Sequence, residues 1–229
     1  MSRIVLKISG EALKGEYNNV DEKKLQIILE TVNILKKFNH KIAIVIGGGN
    51  YFRGREHTNM NAITRDTIGM LGTVMNALYL KDFLEKSNLK VIVSTPFTFP
   101  NLINNISDEE LNQAYDNNDI IIFGGGVGKS GYSTDSGVIL ACSKLNSDFI
   151  IKMTNVDGVY DSDPKTNKNA IKYDKLTYEE VLNNNLKVMD SYAIDNASEK
   201  NIKILVMNFL EYNKLNDYFE GVLVGTEIK

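Results

Sequence analysis

The chain is 229 residues long, 43% apolar and 24% charged, with a formal net charge of −3. Its length suits one large domain, spanning 1–229, rather than two. The charge argues against nucleic acid as a partner, which needs concentrated lysine and arginine, and no apolar run approaches the ~20 residues of a membrane span.

The opening MSRIVLKISG goes straight into a strand pattern, not into a basic stretch followed by an apolar one, so a cytoplasmic protein is expected. Short β-branched runs then recur at Arg3–Ile8, Lys41–Ile46, Lys90–Ser94, Asp119–Phe123, Asp148–Met153 and Lys203–Met207. They are continuously apolar, as parallel strands covered on both faces should be. Between the first two, Leu25, Ile28, Leu29, Val32 and Leu35 mark one face of a helix over Asp21–Phe38. A helix over Gly69–Leu84 carries Gly69 and Gly72 beside Met70, Met75 and Leu78. Methionines at such spacing ordinarily pack in a core, while the small residues also suit a subunit contact. Ser107–Glu110 and Thr177–Glu180 read S/T-x-x-E, the reciprocal cap of a helix start. The one cysteine, Cys142, lies in LACSKL and reads as a buried thiol. The two histidines, His40 and His57, cannot build a histidine-rich zinc site. Alternating strands and helices predict an α/β fold, a three-layer αβα sandwich around an open, mainly parallel sheet.

Ligands of such sheets collect outside the carboxyl ends of the strands. There the first strand ends in Lys7-Ile8-Ser9-Gly10. The second runs into Gly47-Gly48-Gly49-Asn50 and then Phe52-Arg53-Gly54. The fourth runs into Gly124–Gly131, and the fifth ends in Lys152-Met153-Thr154. Glycine lets backbone N–H groups approach phosphate oxygens unhindered. One such turn is often only a turn, but three after parallel strands favour a phosphate site. Gly126–Gly131 fits G-x-G-x-x-G, yet the next strand ends in Lys152 where a dinucleotide site wants an acid. Phe123–Ser130 resembles a Walker loop, but Phe123 occupies the place of the first glycine. Asp157–Asp163 lacks the spacing of a calcium loop. Phosphoryl transfer asks chiefly for positive charge and positioning. Lys7 and Lys152 would supply the charge. Asp135, at a helix start, is either a first-turn carboxylate favoured by the helix dipole or the group that holds both lysines.

These residues resemble the bacterial UMP kinases, within the amino acid kinase superfamily. The similarity covers essentially the whole chain, through LKISGEALKG, VIGGGNYFRG, IGMLGTVMNAL, STDSG, KMTNVDGVYDSDP and YDKLTYEEVLNNNLKVMD. The GMLGTVMNAL and LKVMD segments are the most particular to that family. The resemblance implies ATP and UMP as substrates, UTP as an inhibitor and a homo-oligomer, by the family pattern a hexamer. Mg2+ would arrive with ATP and have no dedicated protein ligands. By position, Lys7, Ile8, Ser9, Gly10, Gly49, Arg53, Thr154, Asn155, Tyr160 and Asp163 match ATP contacts. Asn155 stands where lysine is common. Gly48, Asp66 and the loop Val127, Gly128, Lys129, Ser130, Gly131, Tyr132, Ser133 and Thr134 match UMP contacts. Lys7, Lys152 and Asp135 match the catalytic trio. Another superfamily kinase, acting on a carboxylate or carbamate, would share the glycine turns but lack GMLGTVMNAL. A silent nucleotide-binding module would be marked by loss of one of the trio.

Two departures stand out. Val127–Tyr132 reads VGKSGY where the family usually has Thr-Gly-Asn-Pro-Phe-Phe, so the loop should be more flexible. The family's activation by GTP should be weak, because Glu16-Tyr17-Asn18-Asn19 replaces a glycine-rich turn and Lys81 and Ile92 replace two arginines.

Overall fold

The computed structural model describes residues 2–103 and 106–229. In chain order it contains β1 (Arg3–Ile8), α1 (Glu22–Lys37), β2 (Lys41–Ile46), α2 (Ala62–Glu85), β3 (Val91–Ser94), α3 (Asp108–Asp116), β4 (Ile120–Phe123) and α4 (Thr134–Leu145). There follow β5 (Phe149–Thr154), β6 (Val159–Tyr160), β7 (Lys172–Tyr173), β8 (Lys175–Leu176), α5 (Tyr178–Asn183), α6 (Ser191–Glu199), β9 (Lys203–Asn208), α7 (Leu215–Phe219) and β10 (Thr226–Ile228). Eight strands form one sheet in the order β3-β4-β2-β1-β5-β9-β10-β8, and β6 pairs with β7 in a small hairpin. Only β10 runs against its neighbour β9; the other pairings of the large sheet are parallel.

Strand parity sorts the core into two halves, because successive side chains leave a strand on opposite faces. Ile4, Leu6, Ile8 and Ile44 pack with Leu25, Ile28 and Leu35 of α1, Leu80 and Leu84 of α2 and Leu215 of α7. Val5, Val45, Ile121 and Ile150 pack with Tyr115 of α3, Val138 and Cys142 of α4, Val181 of α5 and Ile194 of α6. Cys142 is buried there, and burial pushes its thiol up to about 12. Both expected S/T-x-x-E sequences close as reciprocal caps, on α3 and α5.

The expected strands agree with the structure to within a residue at their ends. The second helix does not. It begins at Ala62, well before the expected Gly69, with Asn61 accepting from the N–H groups of Ile63 and Thr64. Its first turns are polar and half-exposed, so no apolar periodicity announces them. The expectation of core methionines also needs correction: Met75 is 50% exposed on α2, and Leu71 and Tyr79, on the same i, i+4, i+8 stripe, are 40% and 44% exposed. The hairpin, α6, β8 and β10 are short and carry no period that a sequence window could register.

Candidate active site

The carboxyl ends of β1, β2, β4 and β5 lie side by side, and the three glycine-bearing turns follow the first three of them. The first two turns touch through backbone. A Cβ on Gly10 would sit 2.5 Å from the Gly49 nitrogen and 2.6 Å from the Gly47 oxygen, so no side chain fits there. Gly125 takes φ +85°, a left-handed conformation that suits glycine. Among the described residues no hydrogen bond uses the N–H groups of Gly48, Gly49, Gly126 or Val127. All four residues line a cavity of about 540 Å³. Free backbone donors converging on a cavity make an anion cradle.

Arg53, Arg55 and Arg65 line the same cavity. Arg53 is held by Glu11 at 3.3 Å and by the Gly49 carbonyl at 3.3 Å. Asp66, on the first turns of α2, accepts from the Ser130 hydroxyl at 2.5 Å and the Gly131 N–H at 2.8 Å, both on its Oδ2. Those two donors, the hydroxyl foremost, hold its carboxyl below the usual range. The cavity is also lined by Val127, Tyr132, Ser133 and Thr134; Gly128, Lys129, Ser130 and Gly131 stay outside its wall, and Lys129 is exposed. Ser133 caps α4, and Thr134 is already its first residue.

On the other side of β1, Lys7 and Lys152 meet Asp135. Lys7 Nζ stands 3.2 Å from Asp135 Oδ1, and Lys152 Nζ stands 3.6 Å from Oδ2. Lys152 Nζ also donates to the Val188 carbonyl. Burial, then the Lys7 charge, pull the Lys152 ammonium down to about 8, while Asp135 pulls the other way. Asp135 Oδ1 is buried without a hydrogen bond, since Lys7 lies within ion-pair distance but out of line. The two ammonium groups outnumber the one carboxylate, and that net positive charge suits an arriving anion.

Beyond β5 a second cavity, of about 380 Å³, is lined by Tyr160, Asp163, Pro164, Lys165 and Leu186. Tyr160 donates to Asp157 at 2.6 Å, a bond that holds its phenol up at about 12. The Asp163 carboxylate accepts from the Lys165 N–H. Thr154 bonds both backbone groups of Val156, and Asn155 is exposed and outside the cavity wall. In strand order the lysine pair on β1 and β5 falls between β2 and β4, whose ends line the first cavity, and β10, to which Val159 in the wall of the second is hydrogen-bonded.

A profile of the amino acid kinase family matches residues 2–208. The chain belongs to the amino acid kinase family. Within that family it is 39% identical over 226 residues to a uridylate kinase of Fervidobacterium nodosum, covering 98% of this chain and 96% of the relative. It is 40% identical over 233 residues to a uridylate kinase of Mycoplasmopsis pulmonis, covering 99% and 96%. Its fold superposes on a crystal structure of a UMP kinase from Bacillus anthracis with a TM-score of 0.94 at 36% identity, covering 100% and 96%.

Several residues at this amino acid kinase site escaped the reading of the sequence. Arg55 and Arg65 line the first cavity. Asp190 accepts from Ser133 and from the Ala193 N–H, and with Val188 it ties the LKVMD segment to the trio. That segment stood out as particular to the UMP kinases, which was the available signal. Thr73 and Asn76 lie in GMLGTVMNAL and are buried polar residues on a helix face packed against the sheet.

Proposed function

We propose that the chain is a uridylate kinase, transferring the γ-phosphoryl group of ATP to UMP and releasing UDP and ADP, a step of pyrimidine nucleotide synthesis. The observation that carries this is the Lys7–Asp135–Lys152 trio, set between a cavity with an anion cradle and a second one beyond β5. Relatives matched over almost their whole length bear the same name.

UMP would enter the cavity bounded by Gly48, Asp66 and the Val127–Thr134 loop. ATP would lie with its nucleoside near Thr154, Asn155, Tyr160 and Asp163, and its phosphates on Lys7–Gly10, Gly49 and Arg53. An oxygen of the UMP phosphate attacks the γ-phosphorus in line, and the bond from that phosphorus to the β–γ bridging oxygen breaks, leaving ADP. The phosphate is already an anion, so no general base is needed. Lys7 and Lys152 neutralise the charge spreading over the transferring group, and Asp135 fixes their ammonium groups. No group of three or more potential His, Cys, Asp or Glu ligands occurs among the described residues. Magnesium accompanying ATP would take oxygen ligands from phosphates and water, and Asp135 Oδ1, which accepts no hydrogen bond, would be an available carboxylate oxygen. The ion would supply charge neutralisation on the β- and γ-phosphates.

The exposed α2 stripe Leu71, Met75 and Tyr79 would be covered by further copies of the chain, giving a homo-oligomer, a hexamer by the resemblance to the bacterial UMP kinases. No helix among the described residues is long and apolar enough to cross a membrane, and the cytoplasm is the proposed location. The decisive assay follows ADP release with UMP, CMP, aspartate and acetylglutamate in turn. Release with UMP far above the others is expected. Release with an amino acid instead, or with none of the four, would overturn the assignment.

A further inference from the structure

Helix α2 buries polar side chains where a helix packed on a sheet ordinarily buries apolar ones. Asn76 is 0% exposed and Thr73 7% exposed, and at i, i+3 they share a face. Buried amides and hydroxyls persist where partners satisfy them, and these partners are informative. Asn76 Nδ2 donates to the Gly47 carbonyl at 2.7 Å and to Asn50 Oδ1 at 2.7 Å, and Asn50 Nδ2 returns a bond to Asn76 Oδ1 at 2.9 Å. Thr73 Oγ1 accepts from the Gly125 N–H at 2.6 Å and donates to the Met70 carbonyl at 2.7 Å.

One helix face thus grips two turns that follow neighbouring strands and are far apart in sequence. The pattern is the same in both. The helix engages one backbone group at the root of each turn, Gly47 C=O or Gly125 N–H. The next two N–H groups, of Gly48 and Gly49 or of Gly126 and Val127, stay free and line the cavity. Glycine turns have no side chains of their own to fix them and the widest conformational freedom of any residue. A cradle of backbone donors works only if its donors are preorganised.

We propose that Thr73 and Asn76 are positioning residues that lock the two glycine turns to α2 and so aim their free N–H groups at the phosphate in the cavity. Asn76 lies behind the cavity wall, and Thr73, which is part of that wall, has its hydroxyl engaged by Gly125 and Met70, so both act through the turn backbones. The proposal rests on the uridylate kinase reading for its substrates, but the anchoring itself can be read without turnover.

The test compares Thr73→Val, which keeps the shape and loses the acceptor, with Thr73→Ser, which keeps the hydroxyl. Because the Gly125 turn leads into the loop assigned to UMP, Thr73→Val should raise KM for UMP about tenfold and leave KM for ATP within about twofold. Thr73→Ser should restore both to within about threefold. Asn76→Leu, acting on the Gly47–Gly49 turn shared by both nucleotides, should raise both KM values. Hydrogen exchange of the peptide spanning residues 124–132, in the protein without substrate, should speed up in Thr73→Val and not in Thr73→Ser. Unchanged exchange in Thr73→Val, or equal KM shifts for both substrates in that variant, would overturn the proposal. Absence of UMP-dependent ADP release by the wild type would instead sink the kinase reading, with the exchange comparison still deciding the anchoring.

Discussion

Lys7 and Lys152 are register partners on the neighbouring parallel strands β1 and β5, and both reach toward Asp135 at the start of α4. Two like charges on adjacent strands repel unless counter-charge is at hand. Asp135 answers one of them, and a phosphoryl group in transfer would answer the other. Lys7→Ala or Lys152→Ala should therefore lower turnover by roughly 100–1,000-fold, the usual size for one transition-state charge contact. KM for UMP should move far less, because the contact is made chiefly in the transition state. Steady-state kinetics of both variants checks this, and near-normal turnover in either would remove its assigned role.

The depressed Lys152 gives the enzyme an alkaline limit. The ammonium is the useful form, and its value of about 8 in the free protein means that it is lost as pH rises through 8. A profile of kcat/KM, which reports the free enzyme, should fall above that point. Stability should move in the opposite direction. Between about 8 and the ordinary lysine value the unfolded chain binds this proton and the folded one does not, so Lys152 makes unfolding harder as pH rises through that window. A kcat/KM profile flat to pH 10 would mean that Lys152 keeps its proton.

The Asp66 carboxylate is the candidate reader of the UMP ribose, and in the structure its Oδ2 is taken by Ser130 and Gly131. A site built on such hydrogen bonds rejects the analogue lacking a hydroxyl, because an acceptor is left unpaired. UMP should be strongly preferred over dUMP, and Asp66→Ala should erase most of that preference. Ser130→Ala, which frees one lone pair of Oδ2, should tighten UMP binding several-fold. Calorimetric titration with both nucleotides tests this, and equal affinity of the wild type for UMP and dUMP would refute the ribose assignment.

GTP should activate weakly or not at all, whereas UTP, which shares its uridine with UMP, should still inhibit. Lys81 is already paired with Glu85 and donates to the Val91 carbonyl at 3.2 Å, and Ile92 beside it offers no charge. Both line one cavity with Leu78, Leu102, Ile106 and Glu110. Lysine cannot reproduce a bidentate guanidinium grip on phosphate, and losing two such contacts should cost roughly a hundredfold or more in affinity. Rates at subsaturating ATP with GTP raised to millimolar levels give the answer. Several-fold activation would contradict it.

Met75→Glu should break the proposed subunit contact by putting a charge in the middle of the exposed Leu71–Met75–Tyr79 stripe. Light scattering should show the wild type as an oligomer and the variant shifted toward monomer. A wild type that is monomeric at micromolar concentration would show that the stripe is not covered in this way.

The continuous β-branched runs and the glycine turns after them were enough to predict a covered parallel sheet with a phosphate site at its carboxyl edge. Both are local properties: apolar continuity reports burial on two faces, and glycine after a strand reports a backbone that must come close to something. The two lysines at strand ends and Asp135 at a helix start were legible for the same reason. Which of these groups meet was decided only by the tertiary structure. Strand order places β1 beside β5, and strand parity turns Lys7 and Lys152 toward the α4 face that carries Asp135. The anchoring of the Gly47 and Gly125 turns by Asn76 and Thr73 had no sequence signature either. A polar residue on a helix reads as solvent-facing until the turns that satisfy it are folded against it.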